Sequence, residues 1–186
     1  MSRNNNTKKI IMDTTKECAL IATFVALIIA LQLVLSAVAG VELVTPLFAV
    51  FSFVMGVRRG VITGIAFCLL RTLIFGFFPS VFILYIVYYP LFALGMALLG
   101  KGLQGCTVVT KTLFSILAVC VFTVLFTLLD DVITPLVLRY TLEMAKGYFF
   151  ASLPVMGVQM LSTTIATVFL FIPLYKVFAY VKGKNR

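Results

Sequence analysis

Polar residues punctuate this chain at wide intervals, and long apolar runs separate them. The runs fall at 18–39, 43–57, 61–78, 81–99, 112–138 and about 148–175. A helix needs about 20 predominantly apolar residues to cross the hydrocarbon core of a bilayer. All the runs except the second reach or approach that length. Several end on residues that stop a helix: Arg58-Arg59-Gly60 after the second, Pro79 after the third, Gly100-Lys101-Gly102 after the fourth. The second run is short for a simple span and is expected to be tilted, broken at Pro46 or partly re-entrant. The pattern predicts an all-α integral membrane protein of about six transmembrane helices. It divides into an N-terminal segment 1–17, a six-helix domain 18–181 and a tail 182–186. No soluble domain, low-complexity segment or internal repeat stands out.

Composition supports this pattern. The chain is 62% hydrophobic and 11% charged, against roughly 45–50% and about 25% in soluble domains. Folded in water it would expose large apolar patches. The net charge of +9 would suggest nucleic acid on a soluble protein. Here the basic residues sit between apolar runs, so membrane orientation explains them better and no nucleic-acid partner is expected. With the N-terminus in the cytoplasm and six crossings, the inner side holds Arg3, Lys8, Lys9, Lys16, Arg58, Arg59, Lys101, Lys111, Lys176, Lys182, Lys184 and Arg186. The outer side holds Arg139 and Lys146, and Arg71 falls inside a span. The positive-inside rule then places both termini in the cytoplasm. An odd number of spans would put one terminal basic cluster outside. The first run is too long for a signal-peptide core and Ser36-Ala37-Val38-Ala39 is a weak cleavage-like sequence, so the run is expected as a retained span. The four cysteines, Cys18, Cys68, Cys106 and Cys120, lack metal-ligand spacing. A thiol in or beside a span packs as a small apolar group.

Ionisable groups inside a bilayer cost a few kcal/mol each and mark sites or internal pairs. Arg71 lies about 16 Å beyond Gly60 along a helix, and Asp130 about 27 Å beyond Thr112. Arginine snorkels, so a salt bridge from Arg71 to Asp130 or Asp131 is within reach. Gln32, Tyr85, Tyr88, Tyr89 and Gln159 fall at similar depths in the outer halves of their spans, while the inner halves carry few such groups. This asymmetry predicts a polar, aromatic-lined cavity open to the outside. Simpler readings stand beside it: the tyrosines as an interfacial aromatic belt, Arg71 with an aspartate as a structural pair, a glutamine bridging two helices. Catalysis is not expected. The chain has no histidine, which excludes Ser-His and zinc-His sites. It has no phosphate loop, and the neighbouring aspartates are about 100° apart on a helix, wrong for a dyad.

Small residues cluster toward the inner side. Ala22, Ala26 and Ala30 form a nearly flat stripe on the first span, a face that lets another helix approach closely. Gly56, Gly60 and Gly64 repeat the spacing around the inner loop. Ordinary packing within the bundle is the simpler reading of both stripes, and Gly60 also suits a turn.

The architecture and the Ala22, Ala26, Ala30 stripe resemble the substrate-binding, or S, component of energy-coupling factor (ECF) transporters. The resemblance implies a membrane-embedded subunit that binds a vitamin or related micronutrient near the outer face. It implies that the stripe docks on a transmembrane T component, and that two cytoplasmic ATPases power the complex. The run from Arg71 through Phe75, Gly76 and Pro79, followed by Tyr85-Ile86-Val87-Tyr88-Tyr89-Pro90, looks most like the cobalamin-type branch. Gln32, Arg71, Asp130, Asp131 and Gln159 would then supply polar contacts. Tyr85, Tyr88 and Tyr89 would pack against rings, because tyrosine joins a flat apolar face to a hydroxyl. Two other classes compete: a small ion-coupled carrier titrating Asp130 and Asp131, and a membrane assembly subunit that binds no small molecule.

Overall fold

The computed structural model describes residues 2–35 and 42–184, with side chains from 14–35 and 42–183. It contains six helices among them: α1 (Ser2–Leu35), α2 (Val44–Met55), α3 (Val57–Phe75), α4 (Pro79–Gly102), α5 (Val108–Val137) and α6 (Leu142–Lys184). The chain is an all-α, multi-pass membrane protein. Four stretches are long and apolar enough to cross a bilayer: Thr14–Leu35, Pro79–Gly102, Val108–Val137 and Leu142–Gly183. α3 has 19 residues but carries Arg58, Arg59 and Arg71.

The elements are longer than the apolar runs alone suggest. Residues 2–17 contain no glycine or proline, so α1 begins within the polar N-terminal segment. α6 starts at Leu142 and continues through the basic residues to Lys184. The cleavage-like sequence at 36–39 and Arg186 lie outside the described residues.

Pro46 does not break the second run. It is the third residue of α2, in the first turn, where a missing N–H leaves no helical bond unmade. Gly56, with φ +91°, separates α2 from α3, and Gly76, with φ +93°, ends α3. Both sit where a side chain would strain the backbone.

All 12 residues of α2 are buried, and it packs against each of the other five helices. Its length is about 18 Å, well short of the roughly 30 Å hydrocarbon core. Aromatic rings fill the space around it. Phe51 stacks on Phe24 of α1 with centroids 4.1 Å apart, and Phe178 of α6 meets both edge-on. Phe48 contacts Tyr89 and Phe92 of α4. Small residues admit this packing. A Cβ at Gly60 would lie 3.0 Å from the Ser52 hydroxyl, one at Gly64 3.2 Å from the Tyr89 backbone, and one at Gly100 would run into the Phe53 carbonyl. For Gly60 and Gly64, packing within the bundle is therefore the reading that holds, whereas Gly56 has open space around it and serves the turn.

α5 and α6 run antiparallel. Lys111 meets Tyr175 at one end of their seam, Cys120 meets Thr164 in the middle, and Asp130 meets Tyr148 at the other end. The threonines of the spans satisfy their hydroxyls locally. Thr123 and Thr127 on α5, and Thr163 and Thr167 on α6, each donate to the carbonyl four residues back. Without water in the bilayer core, such local bonding lets polar side chains sit inside a span.

The connectors are short, so successive helices alternate in direction. One end of the bundle gathers Arg58, Arg59, Lys101, Lys111 and Lys182 and is called the basic end below. Arg59 pairs there with Glu17 of α1 at 3.1 Å.

Candidate functional site

Because α2 stops about 12 Å short of a full crossing, its neighbours enclose a hollow above its N-terminus. The cavity measures about 390 Å³ and opens away from the basic end. It is lined by Gln32 and Leu35 of α1, Glu42, Leu43 and Val44 at the head of α2, and Arg71 and Phe75 of α3. Tyr85 and Tyr89 of α4, Phe126 of α5 and Gln159 of α6 complete the wall. Five sequence-predicted residues, Gln32, Arg71, Tyr85, Tyr89 and Gln159, thus come from four different helices to one space.

Arg71 is the polar centre of this wall. Its guanidinium carbon lies 4.2 Å from the centre of the Tyr85 ring and 5.2 Å from that of Phe75. Such stacking holds the planar cation in place. Arg71 Nε and Gln32 Oε1 are buried and make no hydrogen bond with any described residue. A buried polar atom left unpaired costs about 1–3 kcal/mol, a cost that both of these lining residues carry, while their side chains also hydrogen-bond to Tyr85. Tyr85 packs in turn against Tyr89 and, edge-on, against Phe126. The wall therefore combines aromatic faces, one cation, one carboxylate and two amides.

Glu42 was not anticipated as a site residue. Its carboxylate accepts a hydrogen bond from the Thr45 hydroxyl, and its backbone N–H donates to Ser162 Oγ of α6 at 3.0 Å. This fastens the connector to α6 and leaves a carboxylate near the positive N-terminal end of α2. The sequence signal was a lone acid heading an apolar run. Phe75 and Phe126 were also missed; on sequence they are two phenylalanines among 18.

The remaining candidates lie elsewhere. Tyr88 is 2% exposed and faces away from the cavity, stacked on Phe92 and edge-on to Phe126. With Tyr89 also buried, an interfacial belt does not describe this cluster. Asp130 and Asp131 do not reach Arg71, so the salt bridge that depth alone allowed is not made. Asp130 accepts from Tyr148 at 2.7 Å and Thr134 at 2.6 Å, while Asp131 accepts from Ser152 at 2.8 Å. Asp130 borders a second hollow of about 220 Å³ with Tyr148 and Ser152, and Phe126 and Gln159 form the partition between the two spaces.

The alanine stripe faces outward. Ala22, Ala26 and Ala30 are exposed along α1, while Ile21, Phe24, Val25, Ile28 and Ile29 form its buried face. Packing inside this bundle therefore does not account for the stripe.

Among the described residues no group of histidine, cysteine, aspartate or glutamate is placed to hold a metal, and all four cysteines are free thiols. Comparison with protein-family models, curated proteins and solved structures finds no match for this chain.

Proposed function

We propose that the protein is the substrate-binding subunit of an ECF-type uptake transporter in a prokaryotic cell membrane, with the cavity above α2 as its ligand site. The observation that carries this reading is the convergence of Gln32, Arg71, Tyr85, Tyr89 and Gln159 on one cavity. Arg71 and Gln32 line it, and each carries a buried polar atom without a hydrogen bond to any described residue. A largely apolar pocket with a few directed polar groups is the usual form of a small-molecule site. The volume of about 390 Å³ lies in the range for drug-sized ligands, roughly 300–1,000 Å³. It favours a vitamin-sized heterocycle over a corrinoid. The ring would stack against Tyr85 and Tyr89, and an anionic or carbonyl group would meet Arg71.

The ECF resemblance supplies the partners. The exposed Ala22, Ala26 and Ala30 stripe suits close approach of a transmembrane T-component helix, and two cytoplasmic ATPases would supply energy. The chain carries no phosphate loop of its own, and we assign it no catalytic role. Release toward the cytoplasm would follow from reorientation of the loaded protein against its partner.

The test is to purify the chain from cells grown in rich medium and identify co-purifying small molecules by mass spectrometry. A stoichiometric heterocycle, lost from a folded Arg71→Ala protein, supports the reading. A ligand retained at full occupancy by Arg71→Ala would remove Arg71 from the site.

A second reading has one specific observation behind it. Asp131 Oδ1 is buried without a hydrogen bond to any described residue, as a titrating group of an ion-coupled carrier would be. Such a carrier would transport alone in proteoliposomes, whereas the ECF reading expects no uptake without the partner subunits.

A further inference from the structure

The cavity above α2 carries opposite charges on separate walls. Glu42 and Arg71 are the charged residues of its lining, and no ion pair joins them. Residues 36–41, which lead into Glu42, contain no ionisable side chain.

The fold keeps the two charges apart. Glu42 is fastened to α6, where its backbone N–H donates to Ser162 Oγ at 3.0 Å. Gln159, three residues before Ser162 and on the same face of α6, lines the cavity on that side. Arg71 belongs to the α3 wall. Its guanidinium lies 4.2 Å from the centre of the Tyr85 ring of α4. Among the described residues α3 and α6 do not pack against each other. The cavity is the gap between them, and Tyr85 and Tyr89 supply ring surface along it.

Both groups keep hydrogen-bonding capacity. The Glu42 carboxylate accepts from Thr45 at Oε1, and no described residue donates to Oε2. Arg71 Nε is buried without a hydrogen bond to any described residue. The N-terminal end of α2 offsets about half of the Glu42 charge. The neighbouring acids act the other way. Asp130 borders the hollow behind Phe126 and Gln159, on the α5–α6 side. Arg139 and Lys146 in that region are exposed and pair with neither Asp130 nor Asp131, so solvent screens them. The field across the cavity is therefore negative toward α6 and positive toward α3.

We infer that the ligand is dipolar, an inference that rests on the cavity being the ligand site proposed above. An N–H donor group, such as an amine, an amidine or a protonated ring nitrogen, meets Glu42. A carboxylate or carbonyl at the far edge of the same ring meets Arg71. Such a ligand satisfies both walls at once and adds no net charge to a lining whose own charges cancel. A simple anion brings a like charge to Glu42, and a simple cation brings one to Arg71, in a space where charges are poorly screened. Glu42 is then the residue that selects the donor end of the ligand.

The experiment uses the full chain in nanodiscs and small aromatic probes: benzoate, benzylamine, and the meta and para isomers of (aminomethyl)benzoate, which join the same two charges at different separations. Isothermal titration should show a zwitterionic isomer binding about ten- to a hundredfold more tightly than benzoate or benzylamine, the worth of one further hydrogen bond to a charged group. In Glu42→Gln that preference should vanish, and benzoate should bind more tightly because a like charge has gone. Benzoate binding at least as tightly as both zwitterions overturns the inference. So does an equal loss for all probes in Glu42→Gln, which would make Glu42 a structural residue, and so does the absence of binding by every probe. If Glu42→Gln does not fold, the comparison of probes on the parent decides alone. The molecule that co-purifies with the chain gives an independent check: one bearing both groups supports the inference, and one without an N–H donor overturns it. A ligand that depends on Arg71 and not on Glu42 leaves the cavity as the site and removes only the dipolar inference. A ligand indifferent to both residues removes the site as well.

Discussion

Arg71 shows how one side chain settles several questions. Its depth in α3 was readable from spacing, and so was the expectation of a partner. The partner was not readable. Depth along two helices constrains only one coordinate, whereas pairing also requires the helices to be neighbours with the right faces turned inward. Arg71 meets Tyr85 and Phe75 instead of Asp130. Because stacking depends on a planar guanidinium, Arg71→Lys should bind ligand more weakly than the parent despite its retained charge. Arg71→Ala should lose about 1.5–3 kcal/mol, roughly ten- to a hundredfold in Kd, the usual worth of a hydrogen bond to a charged group. Isothermal titration with the co-purified ligand checks both, and equal affinity of Arg71→Lys and the parent would remove the stacking argument. Tyr88 and Tyr89 carry the same lesson: neighbours on a helix point about 100° apart, and one faces the cavity while the other fills the core. At Gly100 the consequence is for stability. A methyl group there meets the Phe53 carbonyl, so Gly100→Ala should cost about 1–3 kcal/mol by overpacking, read as a lowered Tm. Gly102→Ala, with open space around it, should not.

Among the helices, α2 and α1 carry the architecture in opposite ways. α2 is buried all round, which is why its sequence is apolar without a polar face, and why its short length left its role undecided. Burial by five neighbours is a property of the assembled bundle, and in an apolar run it leaves the same trace as exposure to lipid. α1 lies at the periphery and divides into a large-residue face turned inward and a small-residue face turned out. In the isolated chain, Ile28→Ala should therefore cost about 2–5 kcal/mol as a buried large-to-small change. Ala26→Leu should change Tm little, being within about 0.5 kcal/mol as an exposed substitution. If Ala26→Leu destabilises the isolated protein as much as Ile28→Ala, the stripe packs within the bundle after all. In a reconstituted complex the proposed docking adds a second expectation. Ala26→Leu should impair co-purification with the T component while sparing ligand affinity.

At the scale of the molecule, the all-helical membrane fold was legible because the bilayer imposes a severe rule. Every backbone group must be satisfied within the span, so long apolar runs have essentially one solution. The clustering of Gln32, Arg71, Tyr85, Tyr89 and Gln159 at one depth was legible for a related reason, since polar groups at such depths rarely face lipid. The head of α2, with Glu42, escaped because connector geometry obeys no such rule. The alternation of short connectors separates two chemically distinct cavities, one with Arg71, Glu42 and two amides among aromatic rings and one that carries three lysines in a largely apolar lining, with a buried helix between them. The shortness of that helix has an electrical consequence. In the proposed orientation the cavity faces the outside, and with α2 ending level with the inner surface its floor would lie about 12 Å below the outer surface of a roughly 30 Å core, so bound charge would sit roughly a third of the way into the transmembrane field. Moving one charge across 100 mV is worth about 2.3 kcal/mol, so a ligand anion at this depth gives up about 0.8 kcal/mol, or roughly fourfold in affinity, when the inside is negative. A cation would gain the same factor, and a neutral heterocycle would bind independently of voltage. The membrane potential thus becomes a probe of the ligand's charge, even before the ligand has been identified.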